Sequence, residues 1–505
     1  MKKLCILMAI LMLLSTVAMF SSCGETNPDE PVIKETLASN VESEGDTVEE
    51  DQRFDGIDYE GREFRVYTSV APYVYMETSN LFIEGSDELN GALVNDTVLE
   101  RNLYVEELLD IEMVYTHCDL TWGSIAADIR KLTTSGTNEY DLVINDIYDF
   151  APLVIEGNFH NVLDDECVFD FEQNYWYQDF MEDLRLMNGY QYILAGDYFL
   201  DIMRTAHLLL VNKDIYMEYF KSSADELYDV VLNYEWTYDK MFELTSTVYT
   251  DTNGNSKRDK GDRYGYITGE YWGGSIPFSV SGNPPFITRD EDGVPTITIH
   301  EGDRANRLAT AMSRLFNDDT SSINMTTFAE LPQAFANGEA LIIGNYRLGM
   351  LENTSLREME SDVAVLPYPM LDSSDRKYTT SSHDTTEMGA ILITAKDLSY
   401  ISTVVEVLNR ETARILIPKY YKENLQVKCV DDEKAASMID IVHDNFGNSF
   451  ILAYNVPLGS CILNSFSDAM EQEREFSSVY QKYQRSVNRT LQKKIELFQE
   501  KNGLV

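Results

Sequence analysis

Basic residues are scarce in this 505-residue sequence. Lys and Arg together number 40 against 85 Asp and Glu, which gives a formal net charge of −45 at pH 7. Nucleic acids and anionic lipid surfaces are bound through positively charged patches, so we expect neither as a partner. A solvated acidic surface that keeps the protein in solution accounts for most of this charge.

Cysteine is also scarce, and the sequence contains no C-x-x-C pair that would indicate a zinc or redox site. After the first 23 residues only four cysteines remain, and they are widely spaced. Four cysteines allow three disulfide pairings, but buried free thiols explain them equally well in a core of this size. These residues are Cys118, Cys167, Cys429 and Cys461.

The common catalytic signatures are missing. The sequence has no nucleophile elbow, no H-E-x-x-H, no Walker loop and no dinucleotide-binding glycine fingerprint. Its six histidines are scattered without metal-ligand spacing. Adjacent residues such as His383 and Asp384 would point to opposite faces of a strand. A glycosidase needs only two carboxylates in a cleft, so the many acidic residues leave that alternative open.

The only long hydrophobic run lies at the start of the chain. Two lysines precede an apolar stretch from Leu4 to Phe20, which is too short to span a bilayer and ends in Ser-Ser-Cys. This pattern predicts an export signal peptide over residues 1–22. Cys23 after two serines is similar to a bacterial lipobox, in which the cysteine is linked to diacylglycerol. We therefore expect lipid anchoring at the extracellular face of the cell membrane, the alternative being plain secretion with a chance cysteine.

Residues 23–60 differ in composition from everything that follows them. They are rich in Glu, Asp, Ser, Thr and Asn and have few large apolar side chains. Such a segment cannot bury enough surface to offset its ordering entropy, so we predict a disordered acidic tether. The remaining chain is too long for one ordinary core and suits two or three.

Strand and helix patterns alternate along this remaining part, which predicts an α/β fold. Short apolar runs predict buried strands, and apolar residues repeated every three to four positions predict helices. The predicted strands cover residues 63–69, 141–144, 205–212, 340–345, 362–366 and 389–395. The predicted helices start near Asn95 and at Trp122, and also cover residues 304–316 and 477–501.

The order of these segments resembles a known family. After the lipobox and the acidic stretch come VNDTVLERNLYVEELLDIEMVY (Val94 to Tyr115), DLVINDIYDFAPLVIEGNFHNV, HLLLVNKDIYMEYF, EWTYDKMFELTSTV and FANGEALIIGNYRLGML. Together they resemble an extracellular solute-binding protein of family 1, the group that includes maltose-binding proteins. The late segment Glu411 to Asn448 is similar to a branch common in anaerobic Gram-positive bacteria. The resemblance covers nearly all of the chain from Glu63 onward.

The resemblance implies a periplasmic-binding-protein-like type II fold, with two α/β lobes joined by a hinge and the ligand held in the cleft. Lobe one would comprise residues 61–200 plus 368–447, and lobe two residues 201–367 plus 448–505. A two-lobe clamp holds its solute by hinge closure, and ligands sit beyond the carboxyl ends of parallel strands.

One loop has the spacing of a calcium site. Side-chain oxygens at positions one, three, five, nine and twelve, with a backbone carbonyl at position seven, match the ligand pattern that Ca²⁺ requires. Ser256 replaces the usual glycine at position six and an aspartate replaces the final glutamate, so the predicted structural site should be weak. The alternative is an acidic surface turn. The predicted ligands are Asp251, Asn253, Asn255, Lys257 (through its carbonyl), Asp259 and Asp262.

Candidate ligand contacts are aromatic and polar residues near the ends of predicted strands. A sugar presents apolar ring faces and edge hydroxyl groups, so a sugar cleft needs aromatic platforms beside polar side chains. Trp176 and Trp236 sit among other aromatic residues at helix starts, and we predict that both belong to the core. The predicted ligand-binding residues are Trp122, Asp146, Tyr148, Trp272, Tyr346, Arg347, His383 and Asp384.

Three hypotheses of function follow. The first is a monomeric, membrane-tethered receptor without catalytic residues, which delivers a polar solute, most commonly an oligosaccharide in this family, to the membrane subunits of an ABC importer. The second is a secreted carbohydrate-active enzyme, which would turn over glycans. The third is an adhesion or scaffold lipoprotein, which would bind no small molecule.

Overall fold

The computed structural model contains two five-stranded sheets and one short hairpin. It describes residues 52–69, 76, 78–86, 88–120, 123–269, 271–318, 322–324, 328–352, 354–420 and 433–504. The strands are β1 Arg62–Ser69, β2 Ile111–Cys118, β3 Leu142–Asp146, β4 Ile193–Leu194, β5 His207–Asn212, β6 Tyr264–Thr268, β7 Ile287–Arg289, β8 Pro295–Ile297, β9 Ser322–Asn324, β10 Ala340–Arg347, β11 Val363–Leu366 and β12 Glu387–Ala390.

Helices cover most of the chain between the strands. They are α1 Asn80–Ile83, α2 Leu93–Leu109, α3 Ile125–Ser135, α4 Ile147–Ile155, α5 Gln178–Asp183, α6 Asp201–Arg204, α7 Lys213–Phe220, α8 Glu226–Leu232, α9 Tyr238–Thr245, α10 Tyr271–Ser281, α11 Arg304–Asn317, α12 Leu331–Ala336, α13 Thr354–Arg357, α14 Leu398–Glu411, α15 Glu433–His443, α16 Ser449–Tyr454, α17 Cys461–Glu471, α18 Phe476–Tyr480 and α19 Gln484–Lys501. Short 3₁₀ turns occupy Gln52–Phe54, Phe328–Glu330 and Leu348–Glu352, and a π-helical turn follows α14 at Thr412–Leu416.

The two large sheets have the same internal arrangement. The first has the order β2-β1-β3-β12-β4, in which β1 pairs in parallel with β2 and β3 while β12 runs antiparallel to β3 and β4. The second has the order β11-β5-β10-β6-β9, in which β6 pairs in parallel with β9 and β10 while β5 runs antiparallel to β10 and β11. In each sheet, four strands therefore run in one direction, and one strand next to an edge strand, β12 or β5, runs in the opposite direction.

The helices form where the apolar side chains repeat at helical spacing. In α2, Val98, Val105 and Leu109 lie on one face and are fully buried, and the helix ends where Asp110 adopts a left-handed conformation with φ of 46°. Trp236 is completely buried and its indole N–H donates to the carbonyl of Pro367 at 2.9 Å. Trp176 is also buried, so the prediction that both tryptophans belong to the core is confirmed.

The folded part starts earlier than predicted. Residues from Phe54 onward form one compact unit. Phe54 is buried, and Tyr59 packs edge-on against Tyr400 with 4.7 Å between the ring centroids. The last residues assigned to the tether therefore belong to the core. Cys23 and most of the predicted tether lie outside the described residues.

The helices after the second sheet pack alternately on the two halves of the protein. α15 packs against α8 and β11, α16 packs against α4 and α5, and α17 packs against α10 and α11. The long α19 again packs against α4. The chain therefore crosses between the two sheets several times near its end, and the lobe boundaries stay a prediction.

Two further expectations concern disulfide pairing and membrane-spanning helices. Cys118, Cys167 and Cys461 carry free thiols, whereas Cys429 lies outside the described residues. Within the described ranges, no helix combines the length and apolar character that crossing a bilayer requires.

Candidate functional site

The carboxyl ends of the parallel strands define one edge of each sheet. In the first sheet, β1 and β3 end there at Ser69 and Asp146, and the antiparallel β12 starts there at Glu387. In the second sheet, β10 ends at Arg347 and the antiparallel β5 starts at His207. Since polar side chains collect at such edges, these are the places where a ligand would be expected.

A small cavity of about 20 Å³ lies between the two edges. It receives residues from the second sheet, from the segment that precedes β12 of the first sheet, and from the helices beside them. Gly273 of α10 lets the backbone approach closely, because a Cβ there would lie only 3.0 Å from Nδ2 of Asn345. The lining residues are His207, Gly273, Ile276, Asn345, His383, Asp384, Leu452, Asn455 and Leu463.

Asp146 ends β3 and caps α4. One carboxyl oxygen, Oδ1, accepts the backbone N–H of Asp149 at 2.7 Å, which fixes the start of the helix. The side chain is almost fully buried. Burial, assisted by the negative charge of Asp149, raises the pKa of Asp146 to about 8. This carboxyl group therefore holds a proton over much of the neutral range and can donate as well as accept hydrogen bonds.

His383 and Asp384 contact each other, contrary to the sequence argument that adjacent residues diverge. They lie in a turn, because β12 starts only at Glu387. Nδ1 of His383 lies 3.1 Å from Oδ1 of Asp384 and 2.8 Å from the hydroxyl of Thr385. A catalytic relay of the serine-hydrolase type uses both ring nitrogens, whereas both contacts here involve Nδ1. The pair therefore lacks the geometry of such a triad.

Arg347 provides positive charge where the two edges meet. Burial lowers the pKa of His383 well below its usual value, and the charge of Arg347 lowers it further. Burial raises the pKa of Asp384, and Arg347 opposes that change. A guanidinium from the second sheet thus acts on an imidazole and a carboxyl group from the segment before β12.

Tyr346 does not occupy the role predicted for it. The ring has no exposed surface, and its hydroxyl donates to the backbone carbonyl of Met350 at 2.7 Å. We therefore correct the prediction that Tyr346 offers a stacking face, since the ring packs in the core. Tyr148 is half-buried, and its backbone N–H donates to the carbonyl of Asp384 at 3.1 Å.

Two predicted aromatic contacts remain untested. Trp122 lies outside the described residues, and so does the side chain of Trp272. The structure does bring together the remaining polar candidates, which are Asp146, Tyr148, Arg347, His383 and Asp384. Electrostatic effects on the pKa values of Asp146, Tyr148 and His383 connect these five residues.

Sequence reasoning missed three polar residues of the cavity. His207 is buried, its Nδ1–H donates to the carbonyl of Ser381 at 3.1 Å, and burial lowers its pKa to about 3. Asn345 has a φ of +54° at a register shift in β10. Asn455 follows α16. The position of His207 at the start of an antiparallel strand was the one usable signal, whereas nothing in the sequence marks Asn455.

The predicted calcium loop has the turn structure that its sequence suggests. The two carboxyl oxygens of Asp251 accept the backbone N–H groups of Asn255 and Ser256 at 3.2 and 2.8 Å. The side-chain amides of Asn253 and Asn255 both donate to Asp259 at 2.8 Å. The described residues contain no group of three or more His, Cys, Asp or Glu side chains arranged to hold a metal ion. For calcium to bind, both amides would have to turn their oxygens inward.

An open groove lies between the segment before α5 and the end of α15, with a volume of about 280 Å³. His443 lies beneath it, with Nδ1 2.6 Å from Asp444 and Nε2 4.0 Å from the buried Asp197. The ring of Tyr177 packs on the imidazole at 5.1 Å between centroids. Burial lowers the pKa of His443, but the two carboxylates outweigh burial and raise it to about 9.

Comparison with known proteins yields structural relatives only. No known family profile and no curated protein sequence matches the chain. The galacto-N-biose/lacto-N-biose I-binding protein of a Bifidobacterium longum ABC transporter aligns with a TM-score of 0.54 at 11% identity, over 86% of this chain and 98% of that one. An ABC substrate-binding protein of Listeria monocytogenes, solved with cycloalternan, gives 0.53 at 11% identity over 86% and 99%. A cyclo/maltodextrin-binding protein solved with maltotetraose gives 0.53 at 13% identity over 87% and 97%.

The chain has the fold of an ABC-importer solute-binding protein. The alignment covers nearly the whole of each relative, so both lobes of the solute-binding fold are present. The predicted type II fold is thereby confirmed. The cavity between the two sheet edges is the candidate for the ligand-binding cleft of this fold.

Proposed function

We propose that the protein is a solute-binding receptor that takes up a polar solute, an oligosaccharide, in the cleft and delivers it to an ABC importer. One observation carries this proposal: polar residues from both sheet edges line a single cavity, with His207 and Asn345 on one side and His383 and Asp384 on the other. Neutral imidazoles, an amide and carboxyl groups are suited to the hydroxyl groups of a sugar. The structural relatives solved with oligosaccharides support the choice of ligand class.

The first experiment is a thermal-shift screen of the purified protein with neutral oligosaccharides, monosaccharides and peptides. Binding to the folded state alone raises the melting temperature by mass action. Titration calorimetry then measures the affinity for the compound with the largest shift. Asp384→Asn should weaken binding about tenfold or more, since it alters a charged partner in the cavity. Asp239→Asn, on the exposed surface of α9, is the matched control.

The same experiment separates the receptor from the two alternative functions. A carbohydrate-active enzyme would use two carboxyl groups of the cleft, for which Asp146 and Asp384 are the candidates. We expect the ligand to be recovered intact after prolonged incubation. Cleaved glycan would establish the enzyme, and a screen without any shift would favour a scaffold.

We propose further that Cys23 carries a lipid that tethers the receptor to the outer face of the membrane. The support is the apolar run that ends in Ser-Ser-Cys. Cys23→Ala should move the protein from the membrane fraction to the medium. Cys5→Ala, within the apolar run, is the matched control and should stay with the membrane. Retention of the Cys23→Ala protein would contradict the anchor.

A further inference from the structure

A buried glutamate lies beneath the first edge of the cleft. Glu387 is the first residue of β12, is 4% exposed, and lies directly across the strand pair from Asp146. Its backbone N–H donates to Oδ2 of Asp201 at 2.9 Å. One side-chain oxygen, Oε1, accepts the hydroxyl of Ser69, the last residue of β1. Glu387 therefore touches three separate segments that meet at this edge.

The other carboxyl oxygen, Oε2, has no hydrogen-bond partner among the described residues. The hydroxyl of Ser79, which is also buried and immediately precedes α1, is likewise without a partner there. A donating Ser79 hydroxyl would lower the pKa of Glu387, but burial and the charge of Asp201 outweigh that effect. A small movement would let these two groups satisfy each other, since a buried polar group without a partner is costly.

The surrounding charges decide which group carries the proton. Two carboxyl groups face Glu387, Asp201 on α6 and Asp146 at the end of β3. Arg204, the buried cation of this cluster, pairs with Asp201 at 3.2 Å. An ionised Glu387 would therefore add a negative charge beside Asp201, and ionisation of Asp146 would add to the repulsion, in a site of low dielectric constant. Protonation removes that repulsion and gives Oε2 a hydrogen to donate to Ser79.

We propose that Glu387 is a positioning residue that acts as a neutral carboxylic acid, accepting from Ser69 and donating to Ser79 to fix the first edge of the cleft. Burial, followed by the charge of Asp201, raises the pKa of Glu387 to about 8, in agreement with this role. The proton is released under mildly alkaline conditions. The end of β1 and the start of α1 then lose the protonated Glu387 as their common hydrogen-bond partner.

Stability against pH tests the proposal without any ligand. The pKa of Glu387 is higher in the folded state than in the unfolded chain, so its contribution is full below the ordinary glutamate pKa. It is lost as the pH rises through about 8. Denaturant unfolding is measured at pH 6 and pH 9 for the wild type and for Glu387→Gln, which keeps a neutral donor and acceptor. As the pH rises toward 8, the folding equilibrium constant of the wild type should fall relative to that of Glu387→Gln by up to about tenfold per pH unit.

The matched control is Glu411→Gln, at a buried glutamate that pairs with Arg410 and Arg414. The loss of stability that Glu411→Gln causes should not become smaller when the pH is raised from 6 to 9. If Glu387→Gln lowers the free energy of unfolding equally at pH 6 and pH 9, or more at pH 9, then Glu387 does not act as a neutral acid.

Infrared spectroscopy of the wild type covers the case in which the glutamine variant folds poorly. The protein should show the carbonyl stretch of a protonated carboxylic acid at pH 7, and this band should disappear as the pH rises above about 8. Asp146→Asn identifies the share of the band that comes from Asp146. Absence of any residual protonated band in Asp146→Asn at pH 7 would overturn the proposal.

A last measurement, which rests on the proposed function, connects the proton to the cleft. Once the screen supplies a ligand, affinity is measured at pH 6 and pH 9 for the wild type and Glu387→Gln. The wild type should lose affinity at pH 9 more than the glutamine variant does. Equal losses would confine Glu387 to stability and remove its positioning role, whereas failure to find a ligand would leave the stability and infrared results to decide its protonation.

Discussion

Tyr346 and Arg347 are neighbours at the end of β10, yet their surroundings differ. The hydroxyl of Tyr346 is held in the core by the carbonyl of Met350, whereas the charge of Arg347 reaches His383 and Asp384. Because side chains alternate along a strand, one of these two should point into the core and the other away from it, but the alternation does not tell which one does which. The register shift between Ile343 and Tyr346, with Asn345 at φ +54°, makes that choice. Sequence alone could not assign these two residues for this reason.

At the residue scale, Tyr346→Phe tests the corrected role. Removing the buried hydroxyl should lower the free energy of unfolding by about 1 kcal/mol, since the carbonyl of Met350 loses its partner. Ligand affinity should not change. Tyr104→Phe is the matched variant, at an exposed tyrosine of α2, and should spare stability. Weaker binding by Tyr346→Phe at unchanged stability would restore Tyr346 to the ligand site.

Among the secondary-structure elements, the buried strands were predicted best. The runs at 340–345 and 362–366 became β10 and β11 because continuous apolar residues suit a sheet buried on both faces. β12 instead starts two residues before the predicted run at 389–395, and His383 and Asp384 lie in the turn that precedes it. The predicted helix 477–501 is divided into α18 and α19, although its apolar period continues across the break. The two parts have different neighbours, since α18 packs against the preceding α17 whereas α19 packs against α4, which is distant in sequence.

The calcium loop supplies a prediction at the scale of one element. We expect chelation to lower the melting temperature on the order of a few degrees, because a bound cation stabilises the folded state. Asp251→Ala should abolish this sensitivity. Asp290→Ala, at another acidic turn, should keep it. If wild-type melting is the same with chelator and with added calcium, the loop is an acidic turn held by its own hydrogen bonds.

The contact of α15 with Asp197 gives a pH prediction. The pKa of His443 in the folded protein, about 9, lies above the ordinary value of 6.5, so the folded state holds the proton more tightly. Its stabilisation is full below about pH 6.5 and is lost as the pH rises through about 9. His443→Gln should therefore cost on the order of 3 kcal/mol at pH 6 and little above pH 9.5. Denaturant unfolding at both pH values checks this, with the exposed His300→Gln as control. An equal cost at both values would show that the charge of His443 is not used.

For the whole molecule, the sequence predicted the two-lobe fold but not the way in which the chain joins the lobes. The hairpin β7–β8 follows α10 of the second half, yet Arg289 donates to the carbonyls of Asp183 and Arg185 at 2.5 and 2.6 Å. Asn188 likewise bonds to Asp292 and Glu291. These are contacts between polar surface residues, and they leave no apolar period that could be read from the sequence. The repeated crossings of the chain after α15 likewise leave no pattern that could be read from the sequence.

The arrangement of the cavity implies motion of the whole molecule. The cavity between the two sheet edges measures only about 20 Å³, so the proposed oligosaccharide could enter only if the edges separate. Under the proposed function, we expect binding to include closure, in which the differential contacts made by the ligand favour the closed form. Small-angle scattering should show a smaller radius of gyration with saturating ligand than without it. Asp384→Asn should reach the same compact state only at higher ligand concentration, and Asp239→Asn should follow the wild type. Identical scattering with and without a ligand of proven affinity would show that the cleft binds without hinge closure.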